Sequence, residues 1–414
     1  MEGLSEIQQI KQQAAIAQTR LWLEKLQEQN PELKTKNAAK ILEWLDNENE
    51  FLKNCEHAIN RIKNATNMIP PEIIRDFALA IHDYYNKRSK WSEFVELGIL
   101  GLEACRKIGD SDSMGIAYPT LCNNLGLACR MSGKKEEAMS YYQDALKKAT
   151  RNEERSDTLT HMCDIYRLWG ETEKALECGR QAVELAKQIA DSDREAKGLE
   201  FTGLAYVGFQ KYDSGIECYK QALDLRRQTE NMPKEAMVLS YLAFALSHKS
   251  DTKELIDAIN YYQQARALEE KLNNQQSLGR LDGDIAVAYN KLGRYEEAIK
   301  KSSSSLKDNI KIGFGRGIAL NKARLVHSYI GLGHFEKALE QADDVCNSIK
   351  DLTEFDRMNL HGLSGMLLQL AHRQQSGNME KAKKLTQSAI EFAEAAKDNE
   401  SLQEAQNLLN KLST

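Results

Sequence analysis

Asn124-Leu125-Gly126-Leu127-Ala128-Cys129, followed by Gly133, Ala138, Tyr142 and Ala145, is the stretch on which the fold turns. Gly126 and Ala138 carry almost no side chain, so two antiparallel helices can approach closely where they cross. Gly133 falls between them, where a left-handed backbone closes a helix at no steric cost to glycine. Tyr142 and Ala145 are three residues apart, hence on one face of the second helix. A single helix pair has nothing to bury that face against, so a neighbouring pair has to cover it.

The pattern recurs. The residue equivalent to Ala138 is Ala175, Gly215, Ala258, Ala298, Ala338 and Ala382, at steps of 37, 40, 43, 40, 40 and 44. Tyr166, Tyr206, Tyr289 and Tyr329 repeat a large first-helix residue. Gly170, Gly293, Gly333 and Gly377 repeat the turn glycine, and Tyr219 and Tyr262 the second-helix aromatic. On these residues the chain resembles a tetratricopeptide repeat array, with Cys129 standing where that signature has Tyr. The fold expected is all-α: a right-handed α-solenoid of about eight tetratricopeptide-like helix pairs. Repeats of about 40 residues with an "Ile-Gly-Asp … Asn-Leu-Gly" connection narrow the resemblance. They look like the repeat region of bacterial NB-ARC/STAND signalling proteins and like Pins/LGN-type adaptors, over about four-fifths of the chain.

Three segments are expected: an N-terminal helical region at 1–70, the repeat array at 71–396 and a polar capping helix at 397–414. Within the first, Ile10, Ala14, Leu21 and Leu26 fit one helix, and Ile41, Leu45, Leu52, Cys55, Ile59 and Ile62 a second, before Pro70-Pro71 breaks the chain. This region reads either as a cap on the first repeat or as a separate helical module. Residues 72–110 read as a degenerate first repeat in which Phe94 replaces the small crossing residue and loosens the packing. The Ser302-Ser303-Ser304-Ser305 run places small residues where an aromatic and an alanine are expected.

Composition limits the function classes. A net charge of −5 over 414 residues gives no reason to expect nucleic acid or an anionic membrane as a partner. The start lacks a secretory h-region, and no apolar run reaches the ~18 residues that span a bilayer, so a cytoplasmic location is expected. Eight cysteines without a Cys-x-x-Cys pair read as reduced, small apolar fillers. No phosphate-binding loop is found, and Gly313-Phe314-Gly315-Arg316-Gly317 lies between helices, where it reads as an inter-repeat turn. His327 and His334 straddle a turn, and His361 and His372 are eleven apart on one helix pattern, so no metal pair forms. No nucleophile is placed beside a base. The reading is of a non-catalytic protein with no cofactor.

What the resemblance implies about function concerns the first helices, which line a concave groove in such arrays. The groove positions are Asn123, Asn124, Arg130, His161, Asp164, Arg167, Glu200, Tyr241, Arg280, Asp284, Asn290, Arg324 and His327, all expected to be free of packing duty. Asn123-Asn124 matches the asparagine that precedes Leu-Gly in Pins-like and kinesin-light-chain-like arrays, where such amides hold a ligand's backbone. The expected partner is a protein or peptide, held by a scaffold or adaptor. Two other classes stay open: a peptide-gated signalling regulator like the quorum-sensing receptors, and a sensor or inhibitor subunit of an effector enzyme. Asp164 and Asp284 together with the arginines imply a ligand carrying both signs of charge.

Overall fold

The computed structural model describes residues 60, 62, 69–87, 91–249, 251–347 and 362–413. The two helices expected before Pro70, with Cys55, fall almost wholly outside the described residues, and so does His361. Among the described residues there are seventeen α-helices and no strand. The chain forms two compact units, Met1–Tyr241 and Leu242–Thr414.

The first unit is a stack of antiparallel pairs: α1 (Pro71–Lys87) with α2 (Trp91–Ile108), and α3 (Tyr118–Met131) with α4 (Lys135–Lys148). Then come α5 (Asn152–Leu168) with α6 (Thr172–Gln188), and α7 (Ser192–Gly208) with α8 (Tyr212–Gln228). Helix α9 (Met232–Ser247) begins in this unit and ends in the second. The second unit continues with α10 (Thr252–Lys271), α11 (Gln275–Lys291), α12 (Tyr295–Lys311), α13 (Gly315–Gly331) and α14 (Phe335–Asn347). It closes with α15 (Leu363–Gln374), α16 (Met379–Ala396) and α17 (Asn399–Ser413). Each unit is a tetratricopeptide-like solenoid, in which a helix meets mainly the helices next to it in sequence.

The crossing residues lie where the spacing puts them: Ala138, Ala175, Ala258, Ala298, Ala338 and Ala382 have no exposed surface. A Cβ on Gly126 would sit 2.4 Å from Tyr142 Cε1, and one on Gly203 2.6 Å from Tyr219 Cε1. In the degenerate first pair, Phe94 is buried and packs its ring against His82 and Tyr85. Ala405, Leu408 and Leu412 form the buried stripe of α17, flanked by the half-buried Leu402 and Leu409.

The corners follow one chemistry. At the end of α3, Gly133 N–H donates to Arg130 O and Lys134 N–H to Cys129 O, with Gly133 at φ 79°. These two hydrogen bonds satisfy two of the orphan carbonyls of the helix terminus. The same geometry is built without glycine at Ala190, Gln210, Glu230 and Asn273, with φ between 51° and 60°. At Gly377 the expected left-handed turn is not used, because the residues before it lengthen the corner and Asn378 N–H bonds to Gln374 O instead. Left-handed backbone costs an L-residue about 1–2 kcal/mol. Ala190→Gly is therefore expected to raise unfolding stability by about 1 kcal/mol, and Gly133→Ala to lower it by a similar amount. Urea unfolding followed by circular dichroism measures both, and opposite signs from those stated would reject the strain argument.

All seven cysteines among the described residues are free thiols, and six of them are buried. Burial pushes the Cys105, Cys178 and Cys218 thiols up to about 11, which keeps them protonated and unreactive near neutrality.

Candidate functional site

The nominated residues of the first unit fall on first helices, but they differ in depth. Asp164 on α5 is only 2% exposed and lies between two guanidiniums. Arg167 Nε and Nη2 donate to it at 3.0 and 2.7 Å, and Arg130, at the end of α3, pairs with its other oxygen. Asn123 is buried, and its Oδ1 accepts from Thr158 Oγ1 at 3.0 Å, tying α3 to α5. Glu200 on α7 is buried against Arg226 of α8, whose Nε donates to it at 2.7 Å. His161 stacks on Tyr142 with ring centroids 5.3 Å apart and meets Phe201 edge-on. Desolvation in that sandwich holds its imidazole well below the usual histidine range. Tyr241 tilts against Tyr219, and Asn124 is half-buried on α3. Asn123, Asp164 and Glu200 thus bond within the fold, where side chains free of packing were expected.

The second unit repeats the arrangement and adds a cavity. Asn290 on α11 is buried and clamps α13: its Nδ2 donates to Arg324 O at 3.1 Å, and its Oδ1 accepts from Ser328 Oγ at 2.7 Å. His327 is half-buried beside Tyr295, and desolvation lowers its pKa. Asp284 lies between Arg280 Nη1 at 3.3 Å and Arg324 Nη2 at 3.4 Å. Gly283 allows this approach, since a Cβ there would stand 2.2 Å from Arg324 Nη1. Each aspartate, Asp164 and Asp284, is therefore flanked by two arginines. Neither offers an uncompensated negative charge to a ligand.

Around Asp284 opens a cavity of about 550 Å³. Phe244, Tyr262, Val287, Phe314 and Leu320 supply its apolar lining, and Arg280, Lys291, Arg316 and Arg324 its positive charge. Polar side chains of modest size on α12 leave the space: Ser305 Oγ donates to Gly279 O at 2.6 Å, and Asn309 lies one turn further on. Asn321 Nδ2 bonds Ser305 Oγ at 2.8 Å and locks that wall. Lys291 is tied down: its Nζ donates to Ser247 O at 2.7 Å, at the C-terminal end of α9 where a cation is favoured. Burial lowers its pKa. The sequence reading reached Arg280, Asp284 and Arg324 but missed Lys291, Arg316 and the aromatic lining. Ser302 and Ser305, standing for an aromatic and an alanine, were the available signal.

Among the described residues no cluster of three His, Cys, Asp or Glu side chains gathers as a metal site, and no helix is long and apolar enough to cross a membrane.

Sequence models of the tetratricopeptide repeat match residues 121–156 and 201–229. Photosystem I assembly protein Ycf3 of Synechococcus sp. is 35% identical over 81 residues, 20% of this chain and 43% of its own, so the chain spans less than half of that relative. Among solved structures, a Rap protein complexed with competence and sporulation factor superposes with a TM-score of 0.52 at 14% identity, over 95% of this chain and 97% of its own. A signal transduction ATPase with numerous domains and a tetratricopeptide repeat sensor, from Pyrococcus horikoshii, gives 0.58 at 15% identity, over 85% of this chain and 54% of its own. Aspartyl phosphate phosphatase F from Bacillus subtilis gives 0.52 at 17% identity, over 81% and 88%. At these identities the likeness is one of fold.

Proposed function

We propose that this chain, which carries tetratricopeptide repeats at 121–156 and 201–229, is a non-catalytic interaction scaffold whose first-helix walls hold a segment of a partner protein or a peptide. The observation that supports this most is the cavity of about 550 Å³ beside α11 and α13, because Arg280, Asp284 and Arg324, nominated from sequence as ligand contacts, all line it. Its volume lies in the range of a ligand-binding cleft, ~300–1,000 Å³, with an apolar lining and a few convergent polar groups. Within the second unit, a bound segment would use these arginines for its acidic or amide side chains.

The Rap protein that matches almost the full length of this chain was solved with a bound factor, which supports a ligand-binding role; in a second, regulator reading the ligand would also change this chain's conformation. One experiment covers both. Randomised dodecapeptides on phage are selected against the full chain, and the enriched sequences are synthesised and titrated by calorimetry. Val287→Trp, which fills the cavity, is expected to weaken binding at least about tenfold, the effect of losing some 1.4 kcal/mol. Binding that is unaffected by Val287→Trp and abolished by deleting residues 1–59 would move the function to the N-terminal region. Hydrogen exchange with and without peptide then separates scaffold from regulator: protection confined to the cavity lining fits a scaffold, and protection spreading through both units fits a regulator.

A further inference from the structure

Building on the reading of the first-helix wall as a ligand groove, we infer that the cavity beside α11 and α13 selects a carboxylate carried next to an apolar side chain, the chemistry of an acidic peptide segment. The chain as a whole is acidic, at −5, yet the cavity gathers Arg280, Lys291, Arg316 and Arg324 against the single carboxylate of Asp284. That inversion is local and concave, and low-dielectric walls focus the field of such a cluster onto a bound anion.

Asp284 acts as an internal stand-in for the ligand. Its two oxygens meet two guanidiniums, which shows that Arg280 and Arg324 converge on a point where a carboxylate fits. The contacts are 3.3 and 3.4 Å, longer than the ~2.7–2.9 Å of a strong charge-assisted bond, so neither guanidinium closes a strong fork on Asp284, and Arg324 Nη1 also donates to Asn321 Oδ1 at 3.1 Å. Arg280 is 53% exposed, so its guanidinium can turn toward an incoming anion, and Arg316 adds its positive charge to the lining. Lys291 does not serve, because its ammonium is held on Ser247 O.

The neighbouring surface fixes the rest of the ligand. Phe314 lines the cavity and is 38% exposed, and Ile312 on the same turn is 52% exposed. Large apolar side chains left open beside a cationic cleft complement an apolar residue adjacent to the acid, as in Glu-Phe or Asp-Leu. The carboxylate can come from a side chain or from a peptide C-terminus.

The test uses immobilised decapeptide pools with a fixed central pair in otherwise random sequence: Glu-Phe, Gln-Phe and Lys-Phe, each with a free and an amidated C-terminus. A further amidated pool lacks any acid. The labelled full chain is applied as wild type, Arg280→Gln and Asp284→Asn, each checked by circular dichroism. Wild type is expected to be retained about tenfold better on Glu-Phe than on Gln-Phe, the worth of one charge-assisted bond. Arg280→Gln, at an exposed position that leaves the fold intact, should shrink that preference severalfold. Asp284→Asn should enlarge it, because it removes the competing internal carboxylate, whereas a merely structural Asp284 would leave it unchanged or reduced. Preference for the free C-terminus over the amide assigns the carboxylate to the chain end, and its absence assigns it to the side chain. Equal retention on all pools overturns carboxylate selection while leaving the groove reading standing. Retention on none overturns both. A Glu-Phe preference unaltered in both variants places the selection outside this cavity and also overturns the inference.

Discussion

Arg226→Met is expected to lower the unfolding free energy of the first unit by about 3–5 kcal/mol, the cost of stranding a buried charge. Arg226 is 1% exposed, and its Nε contacts Glu200 at 2.7 Å, itself 4% exposed. Methionine matches the stem's volume, so little cavity forms and the loss reports the charge. Asp193 keeps Lys234 at 2.7 Å and is half exposed, so it suffers little. The double variant Arg226→Met/Glu200→Met should recover most of the loss, since a well-packed apolar pair replaces a buried ion pair at near-neutral cost.

The effect has a pH signature. Desolvation raises the folded-state pKa of Glu200, and Arg226 opposes that rise. A raised carboxyl contributes stability that is fully present below its unfolded pKa and is lost as pH rises through the folded one. Without Arg226 the folded pKa climbs further, so the deficit of the variant is largest at neutral pH and shrinks on acidification through the carboxylate range. Urea titrations at pH 7 and pH 5 measure this. A single-variant loss under about 1 kcal/mol, or a loss that grows at pH 5, would reject the buried-pair account.

Gly126→Ala is the second large effect, and its sign is set by two opposed magnitudes. Alanine in a helix interior gains about 1 kcal/mol over glycine. Against that, the new Cβ meets Tyr142 Cε1 at 2.4 Å and Cζ at 2.7 Å, and Tyr142 is wholly buried and has nowhere to go. Overpacking of this kind costs about 1–3 kcal/mol, and after relaxation of the helix contact the net is expected to be destabilising. Gly279→Ala is the control: its nearest neighbours stand at 3.8 and 3.9 Å, so there the propensity gain should prevail. Tyr142→Ser alone should cost several kcal/mol in lost burial, roughly as other aromatic truncations do. Combined with Gly126→Ala it should be less damaging than the sum, by about 0.5–3 kcal/mol, because each change makes room for the other. Strict additivity in a thermal-unfolding cycle would remove the steric link between the two positions.

The register of this chain was legible because it rests on local pattern. The series from Ala138 to Ala382 reports where helices cross, and those alanines are fully buried. Depth was not legible. Asn123, Asp164, Glu200 and Asn290 are polar residues on first helices, and polarity gives a face but not how far a neighbouring helix covers it. For Asn123 and Glu200 the partner is on another helix: Thr158 lies 35 residues from Asn123 and Arg226 lies 26 from Glu200. Corners without glycine, at Ala190 and Gln210, carried no mark in the sequence because the hydrogen-bond geometry tolerates L-residues there at a cost. The cavity was half-legible: the Ser302–Ser305 run marked a thin place in the packing, but not which side chains would gather around it.

Tyr142 fits onto Gly126, and Tyr219 onto Gly203, with both partners of each match sixteen residues apart inside a single repeat. The corresponding positions hold Ala286 with Ser302 and Val326 with Ala342, whereas the repeat of Tyr262 departs from the spacing, with Leu246 sixteen residues before it. A stretch of DNA encoding one repeat therefore carries lock and key together. Copying, deleting or transplanting either of these whole repeats preserves its glycine–tyrosine match, whereas recombination between the two helices of a repeat joins tyrosine to valine or leaves glycine facing glycine. Crossover points in the helix-to-helix corners within repeats are thus expected to be poorly tolerated, and those between repeats readily accepted, in any shuffled descendant of this chain.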